Sequence, residues 1–249
     1  MILRRVIEHA KRQEWTAIAI DFVIVVAGVF VGIQVANWNE TRRDRALERV
    51  YLTRIAADLS KSVRDIDVSI QRAQERQELG RLLMRSVSDD QPVRAAPGKF
   101  MAALLVASYT FTPGIRSVAF DEMKSVGDLA LIQDKQLLDE ISEYYTKIRE
   151  TAQWSYIREA KQTQYMKFAA GILTHEQMNL IDASDWAPTI SVADALAARE
   201  RMLQRPDFIE WLPTVSYRSE DINRYRGWRK DTLALHDRIA AHLDREIGK

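Results

Sequence analysis

Between Ala17 and Ala36 the chain reads AIAIDFVIVVAGVFVGIQVA, a run with one charge, Asp21, and one further strongly polar side chain, Gln34. At about 1.5 Å per helical residue, a stretch of about twenty residues covers roughly 30 Å, the thickness of a bilayer's hydrocarbon core. Trp15 and Trp38 bracket it at the depth where indole rings sit half in hydrocarbon and half in water, as interfacial anchors. The expectation is one membrane helix over residues 15–38.

The run also has to be weighed as a cleaved secretory signal. Arg4, Arg5, Lys11 and Arg12 form a basic leader, but the apolar stretch exceeds the usual 7–15 residues of a signal core. A cleavage site after Ala36 needs a small residue two positions earlier, where Gln34 stands. An uncleaved anchor is therefore expected. Ahead of it, residues 1–14 form a basic tail in which Leu3, Val6, Ile7 and Ala10 share one helical side, a pattern suited to lying on anionic head groups.

Of the 249 residues, about 210 lie outside the apolar run, enough for one sizeable helical domain or two small ones. Net charge is +1 with 29% charged residues of both signs interspersed, which gives no concentrated basic face for nucleic acid. The absence of cysteine excludes disulfides, thiolate metal sites and a cysteine nucleophile. Nine glycines and six prolines are few for this length and favour long helices over an all-β fold.

Apolar residues at Leu52, Ile55, Leu59, Val63, Ile66, Ile70 and Ala73 recur at steps of three and four, predicting a long amphipathic stalk helix over residues 39–88. Ser88 to Gly98 reads as a loop. The bundle is expected over residues 89–249, beginning with a buried helix over Phe100–Phe111, too short to span a membrane. Ser117 is a candidate cap for a short helix ending at Gly127, which suits a left-handed position. Asp134 caps a long helix with Leu138, Ile141, Tyr145, Ile148 and Ala152 on one face, running to about Gly171. Beyond a looser region, His175 to Pro188, Ser191 and Asp194 open a helix over Val192–Gln204. Pro206 to Pro213 reads as a connection. The last helix, about Glu220 to Glu246, should bury Tyr225, Trp228, Leu235, Ile239 and Leu243. No sustained period-two alternation appears, so the fold class expected is all-α, with about five helices beyond the membrane and stalk helices.

At Gln34-Val35-Ala36-Asn37-Trp38-Asn39-Glu40, followed by Tyr51-Leu52-Thr53-Arg54, the chain resembles bacterial single-span membrane proteins grouped as the domain-of-unknown-function 6090 family. Gly127 to Ile132 with Tyr144-Tyr145 is a second similar stretch, although Val126 stands where members usually carry serine. The resemblance implies an integral membrane protein with a helical soluble domain and implies no activity.

With Asp21 at zero on a helical wheel, Val25, Gly28, Gly32, Val35, Ala36 and Asn39 fall within about 60° of it. This face joins an acid, a Gly-x-x-x-Gly step and an amide, a pattern that lets two membrane helices approach closely and bond across the seam. It is the candidate association face.

Catalytic patterns are not found. His175-Glu176-Gln177-Met178-Asn179 begins like a zinc-protease helix but has asparagine where the second ligand belongs. His236 and His242 are six apart and turned about 120° from each other, so with His9 they read as surface residues. Asp65 and Asp67 read as ordinary exposed acids. Trp154, Tyr156, Tyr165 and Phe168 at helical spacing read as core rather than as a ligand pocket.

The reading is a non-enzymatic, membrane-anchored interaction or scaffold protein, without cofactor or metal, self-associating through its span or docking on another membrane protein. The alternative is an extracytoplasmic sensing or accessory module acting through a partner. The expected location is a bacterial inner membrane, crossed once. Lys and Arg balance across the span, with Arg4, Arg5, Lys11 and Arg12 before it and Arg42, Arg43, Arg45 and Arg49 after it. The short tail that emerges first and its amphipathic pattern, suited to the anionic cytoplasmic leaflet, give the expected orientation, N-terminus in the cytoplasm and large domain in the periplasm.

Overall fold

The computed structural model describes residues 15–109, 112–152, 155–181, 189–216 and 219–247, so the basic tail lies outside the described residues. Side chains through Asp21 and over residues 151–158 and 216–220 also lie outside. Every regular element described is helical. Helix α1 runs from Trp15 to Ser88. Then come α2 (Gln91–Ala95), α3 (Pro97–Val106), α4 (Val118–Val126), a 3-10 turn (Asp128–Leu131), α5 (Lys135–Ala152), α6 (Ser155–Ala169), α7 (His175–Asn179), α8 (Val192–Leu203), α9 (Pro206–Ser216) and α10 (Ser219–Ile247). The fold is all-α: a long N-terminal apolar helix and a helical bundle. The described helices outnumber the expectation.

The chain divides into two compact units, the first ending at Tyr51 and the second starting at Leu52. The first is the leading part of α1. The second contains everything from Leu52 onward, so most of the segment read as a stalk is a core member of the bundle. The reason lies in its burial pattern. Leu52, Ile55, Leu59, Ser62, Ile66, Ser69, Ala73, Arg76 and Leu83 are all buried, and successive members up to Arg76 are three and four residues apart. That is a 3.5-residue period, the seam of a helix packed along neighbours. Apolar character alone had pointed to Val63 and Ile70, which are only half-buried, while Ser62 and Ser69 occupy the seam. Each hydroxyl donates back to a carbonyl four residues earlier, Ser62 to Asp58 at 2.8 Å and Ser69 to Asp65 at 2.9 Å. A small side chain satisfied this way leaves room for a neighbouring backbone.

One core gathers the end of α1 (Leu79, Leu82, Leu83) with Phe100 and Met101 of α3, Tyr165 of α6, Ala198 and Met202 of α8, and Phe208 and Leu212 of α9. A second holds Ile66 and Ala73 of α1 against Ile222, Tyr225 and Trp228 of α10. Near Leu59, Phe120 of α4 stacks on Tyr145 of α5, centroids 4.5 Å apart. The buried face of α5 is Leu137, Ile141, Tyr144 and Tyr145, with Leu138 and Ile148 at its margins.

Several local expectations need correction. The expected loop from Ser88 to Gly98 contains α2 and the start of α3, each opened by a proline in its first turn, where a missing N–H leaves no bond unmade. The expected connection from Pro206 to Pro213 is helix α9. Pro206 occupies its first position, and Phe208 and Leu212 on one face insert into the core. Within the looser region, α7 is held by a capping box in which the Thr174 hydroxyl accepts from the Gln177 amide and the Gln177 side chain accepts from the Thr174 amide. Ser117 does not cap α4. Its hydroxyl donates to Asp121, and the Ala119 amide is taken by Asp58 of α1 at 3.1 Å, while Ser62 accepts from the Arg116 amide at 2.9 Å. The long helix thus supplies the missing acceptors for the start of α4. As expected, Gly127 ends α4 with φ +85°, Asp134 accepts from the Leu137 amide at 3.1 Å, and Ser191 accepts from Asp194 at 3.0 Å.

Candidate membrane anchor and association face

From Phe22 onward α1 carries a window of mean hydropathy 1.7, long and apolar enough to cross a membrane, and none of that window is buried within the protein. Phe22 is 68% exposed and Phe30 61%, with Val23, Ile24, Val25, Val29, Val31, Ile33 and Val35 also exposed. A core helix of a water-soluble protein of this composition would be covered by its own bundle. Every described side chain of this one from Phe22 to Glu40 is exposed. Even the short apolar helix α3 is buried at Phe100, Met101, Ala102, Ala103 and Leu104.

On the candidate face, Val25, Gly28, Gly32, Ala36 and Asn39 all lie in α1 and are exposed. Asp21 lies on the same helix, with its side chain outside the described residues, as is that of Trp15. A Cβ added at Gly28 or at Gly32 meets nothing within 4 Å. Among the described residues neither glycine has a neighbour that its missing side chain makes room for, and neither has a positive φ. Trp38 is 64% exposed, with the Arg42 guanidinium 5.9 Å from its ring centroid, and one turn on Thr41 donates to the Asn37 carbonyl at 2.9 Å.

In the bundle, the polar groups that sequence left unassigned are mostly structural. Arg199 of α8 donates to the carbonyls of Ser86 at 2.6 Å and Val87 at 3.1 Å, closing the last turn of α1. Arg201 reaches the Ile172 carbonyl at 2.7 Å and Gln177 at 2.6 Å. The buried Arg76 donates to the Tyr109 carbonyl. Asp65 and Asp67, expected as ordinary exposed acids, have exposed side chains that face Arg116 at 3.7 Å and Arg229 at 2.6 Å. His242 is not a surface residue. Its side chain is largely covered, with Nδ1 3.6 Å from Asp134, which also accepts from Arg238 at 2.9 Å. The Leu137 amide and then the Arg238 guanidinium and His242 hold the Asp134 carboxyl below the usual range. Glu122 is likewise held low by its bond from Arg54 at 3.0 Å.

Tyr165 is fully buried and donates to the Ala103 and Leu104 carbonyls at 3.2 and 3.0 Å, while Phe168 meets Trp211 edge-on, so these two aromatics are core. Trp154 and Tyr156 fall outside the described side chains. His175 Nε2 lies 3.1 Å from its neighbour Asn179. Among the described residues no group of three or more His, Cys, Asp or Glu is placed to hold a metal ion. Among the described residues, a groove of about 310 Å³ lies between α5 and α10, beside Tyr144, Lys147 and Asp231. Another, of about 1100 Å³, lies between the end of α1 and the α2–α3 corner.

In comparisons with known proteins, no family model, no curated protein and no solved structure matches this chain.

Proposed function

We propose that this chain is a non-enzymatic, membrane-anchored interaction or scaffold protein that crosses a bacterial inner membrane once and self-associates through its span. The observation that carries the reading is the complete exposure of an apolar window of membrane-spanning length. Side chains such as Phe22, Phe30 and Ile33 left in water would forgo about 25 cal/mol for each Å² not covered, and a bilayer covers them all. The resemblance of Gln34 to Glu40 to the single-span domain-of-unknown-function 6090 family supports the same reading.

Self-association is supported by Gly28 and Gly32, whose missing side chains serve no contact within the chain and would let a second helix approach closely. The N-terminus lies in the cytoplasm in this proposal and the bundle in the periplasm, following the short amphipathic tail that suits the anionic cytoplasmic leaflet. Alkaline carbonate should leave the full chain in the membrane pellet and release a chain starting at Asn39. Recovery of the full chain in the carbonate supernatant would refute the anchor. Substituting Gly28 and Gly32 by Ile should weaken a membrane-helix dimerisation reporter by about 1–3 kcal/mol. An equal signal from both would leave this face to lipid alone.

A second reading is favoured by the large groove of the bundle: an accessory or sensing module that acts through a partner membrane protein.

A further inference from the structure

Helix α1 ends beside a trough whose charges are unevenly satisfied. Of its acids, Glu78 lies 3.8 Å from Lys99, and Asp89 accepts from the neutral Gln91 amide at 3.0 Å. Arg81 and Arg85 stand four residues apart on one face of α1, both exposed, and neither guanidinium has a hydrogen-bond or ion-pair partner among the described residues. Like charges at this spacing repel and destabilise a helix. Arg85 lies in the last turn, where the helix dipole offsets the repulsion, but Arg81 lies a turn further in. Leu82 and Met84 flank the arginine pair on opposite sides, Leu82 buried and Met84 40% exposed, and Pro92 also lines the trough.

The shape selects the size of the ligand. Small molecules bind in clefts that cover most of their surface. Here Arg81, Arg85, Gln91, Ala95 and Lys99 are all exposed around a space of about 1100 Å³, so a small anion would stay mostly in water. An elongated occupant lying along the trough would be held over its length, with carboxylates against the two guanidiniums and an apolar side chain against the exposed Met84. Arginine pairs recognise acidic motifs by this fork geometry, and methionine adapts to varied apolar partners.

We infer that the α1–α2 trough binds an acidic peptide segment of a partner protein, with Arg81 and Arg85 pairing its carboxylates and the exposed Met84 receiving an apolar side chain. This rests on the accessory reading and deepens it.

The test uses the full chain in detergent micelles and a short fluorescein-labelled peptide alternating glutamate and leucine. Its lysine–leucine counterpart is the control. Fluorescence anisotropy should show saturable binding of the acidic peptide and none of the basic one. R81E/R85E should weaken binding at least tenfold, and R81Q/R85Q should weaken it by less. The thermal transition of each variant confirms that the bundle remains folded. Equal binding by the wild type and R81E/R85E would overturn the proposal, as would failure of the acidic peptide to exceed the basic one. Full displacement by free glutarate at equal carboxylate concentration would also overturn it, by making this a small-anion site. Carbonate extraction of the same variants reads the anchor separately, so loss of peptide binding with retained membrane association distinguishes this inference from the anchor.

Discussion

The first and second parts of helix α1 are made by the same backbone rules and solve opposite problems. From Phe22 to Val35 nearly every side chain is aliphatic or aromatic, and every one is exposed. From Leu52 to Leu83 charged residues occupy most outward positions, and a single seam is covered by the bundle. A helix that is apolar all round can be stable only in an apolar surrounding, whereas an amphipathic one needs only one covered face. Helix formation is therefore common to both parts, and side-chain distribution alone decides what medium each requires.

The sharpest way to break this comparison is to make the same deletion in both parts of the chain's apolar inventory. Phe100 is fully buried and Phe30 is 61% exposed. Phe100→Ala should cost the bundle about 3–5 kcal/mol through lost burial and a cavity. Phe30→Ala should leave the urea midpoint of the detergent-solubilised protein unchanged. Similar losses at both sites would mean that the leading helix is packed on protein after all.

A charge placed in the span tests the other half. Val26→Arg puts a guanidinium near the middle of residues 15–38, where insertion scales assign about 2.5–3.5 kcal/mol. The carbonate-resistant fraction should fall while the melting transition of the bundle stays where it was. An unchanged pellet fraction would argue against burial of this position in hydrocarbon.

The seam of α1 offers a smaller effect. Ser62 accepts the Arg116 amide and bonds its own helix, so Ser62→Ala leaves a donor unmatched in a covered site. The expected loss is about 1–2 kcal/mol, read from urea unfolding. Because α4 begins at that contact, exchange of the amides around Ala119 should accelerate as well. Ser60→Ala, two residues earlier and off the seam, is the control and should be silent.

How much of this was legible follows from where each signal resides. The apolar run, the all-helical class, the Gly127 stop and the caps at Asp134 and Ser191 are local, set by propensity and by bonds within four residues. They were readable. Ser62 and Ser69 were passed over for Val63 and Ile70 because polarity argues for solvent, whereas the 3.5-residue seam favours small side chains at those turns. Helix α9 was hidden by its two prolines, although Pro206 opens it and the apolar residues between them carry its periodicity. The capping of α4 by Asp58 spans 61 residues of sequence, and the bond from Arg199 to Ser86 spans 113. No local pattern announces contacts of that separation. The candidate association face was legible as a pattern of residues. The Arg81–Arg85 trough was not, since its character depends on which acids are already engaged.

The smallest effect concerns Asp134, which ties the start of α5 to α10. Its carboxyl is held low first by the Leu137 amide and then by Arg238 and His242. A carboxyl with a depressed folded-state pKa contributes stability above the unfolded value, about 3.9, and loses it as pH falls through the folded value. Wild-type stability should therefore drop between about pH 4 and the lower folded pKa by more than that of Asp134→Asn. Asparagine keeps an acceptor for the Leu137 amide but carries no charge for Arg238, so only the charged contribution is removed. For a partly exposed pair this is on the order of 0.5–1 kcal/mol at neutral pH. The comparison is made between two proteins at each pH, because contributions common to both, that of the lowered Glu122 among them, cancel in the difference. A constant gap between the two urea midpoints from pH 7 down to pH 3 would show that Asp134 acts as a neutral cap. A gap that closes on acidification would assign the contact with α10 to charge.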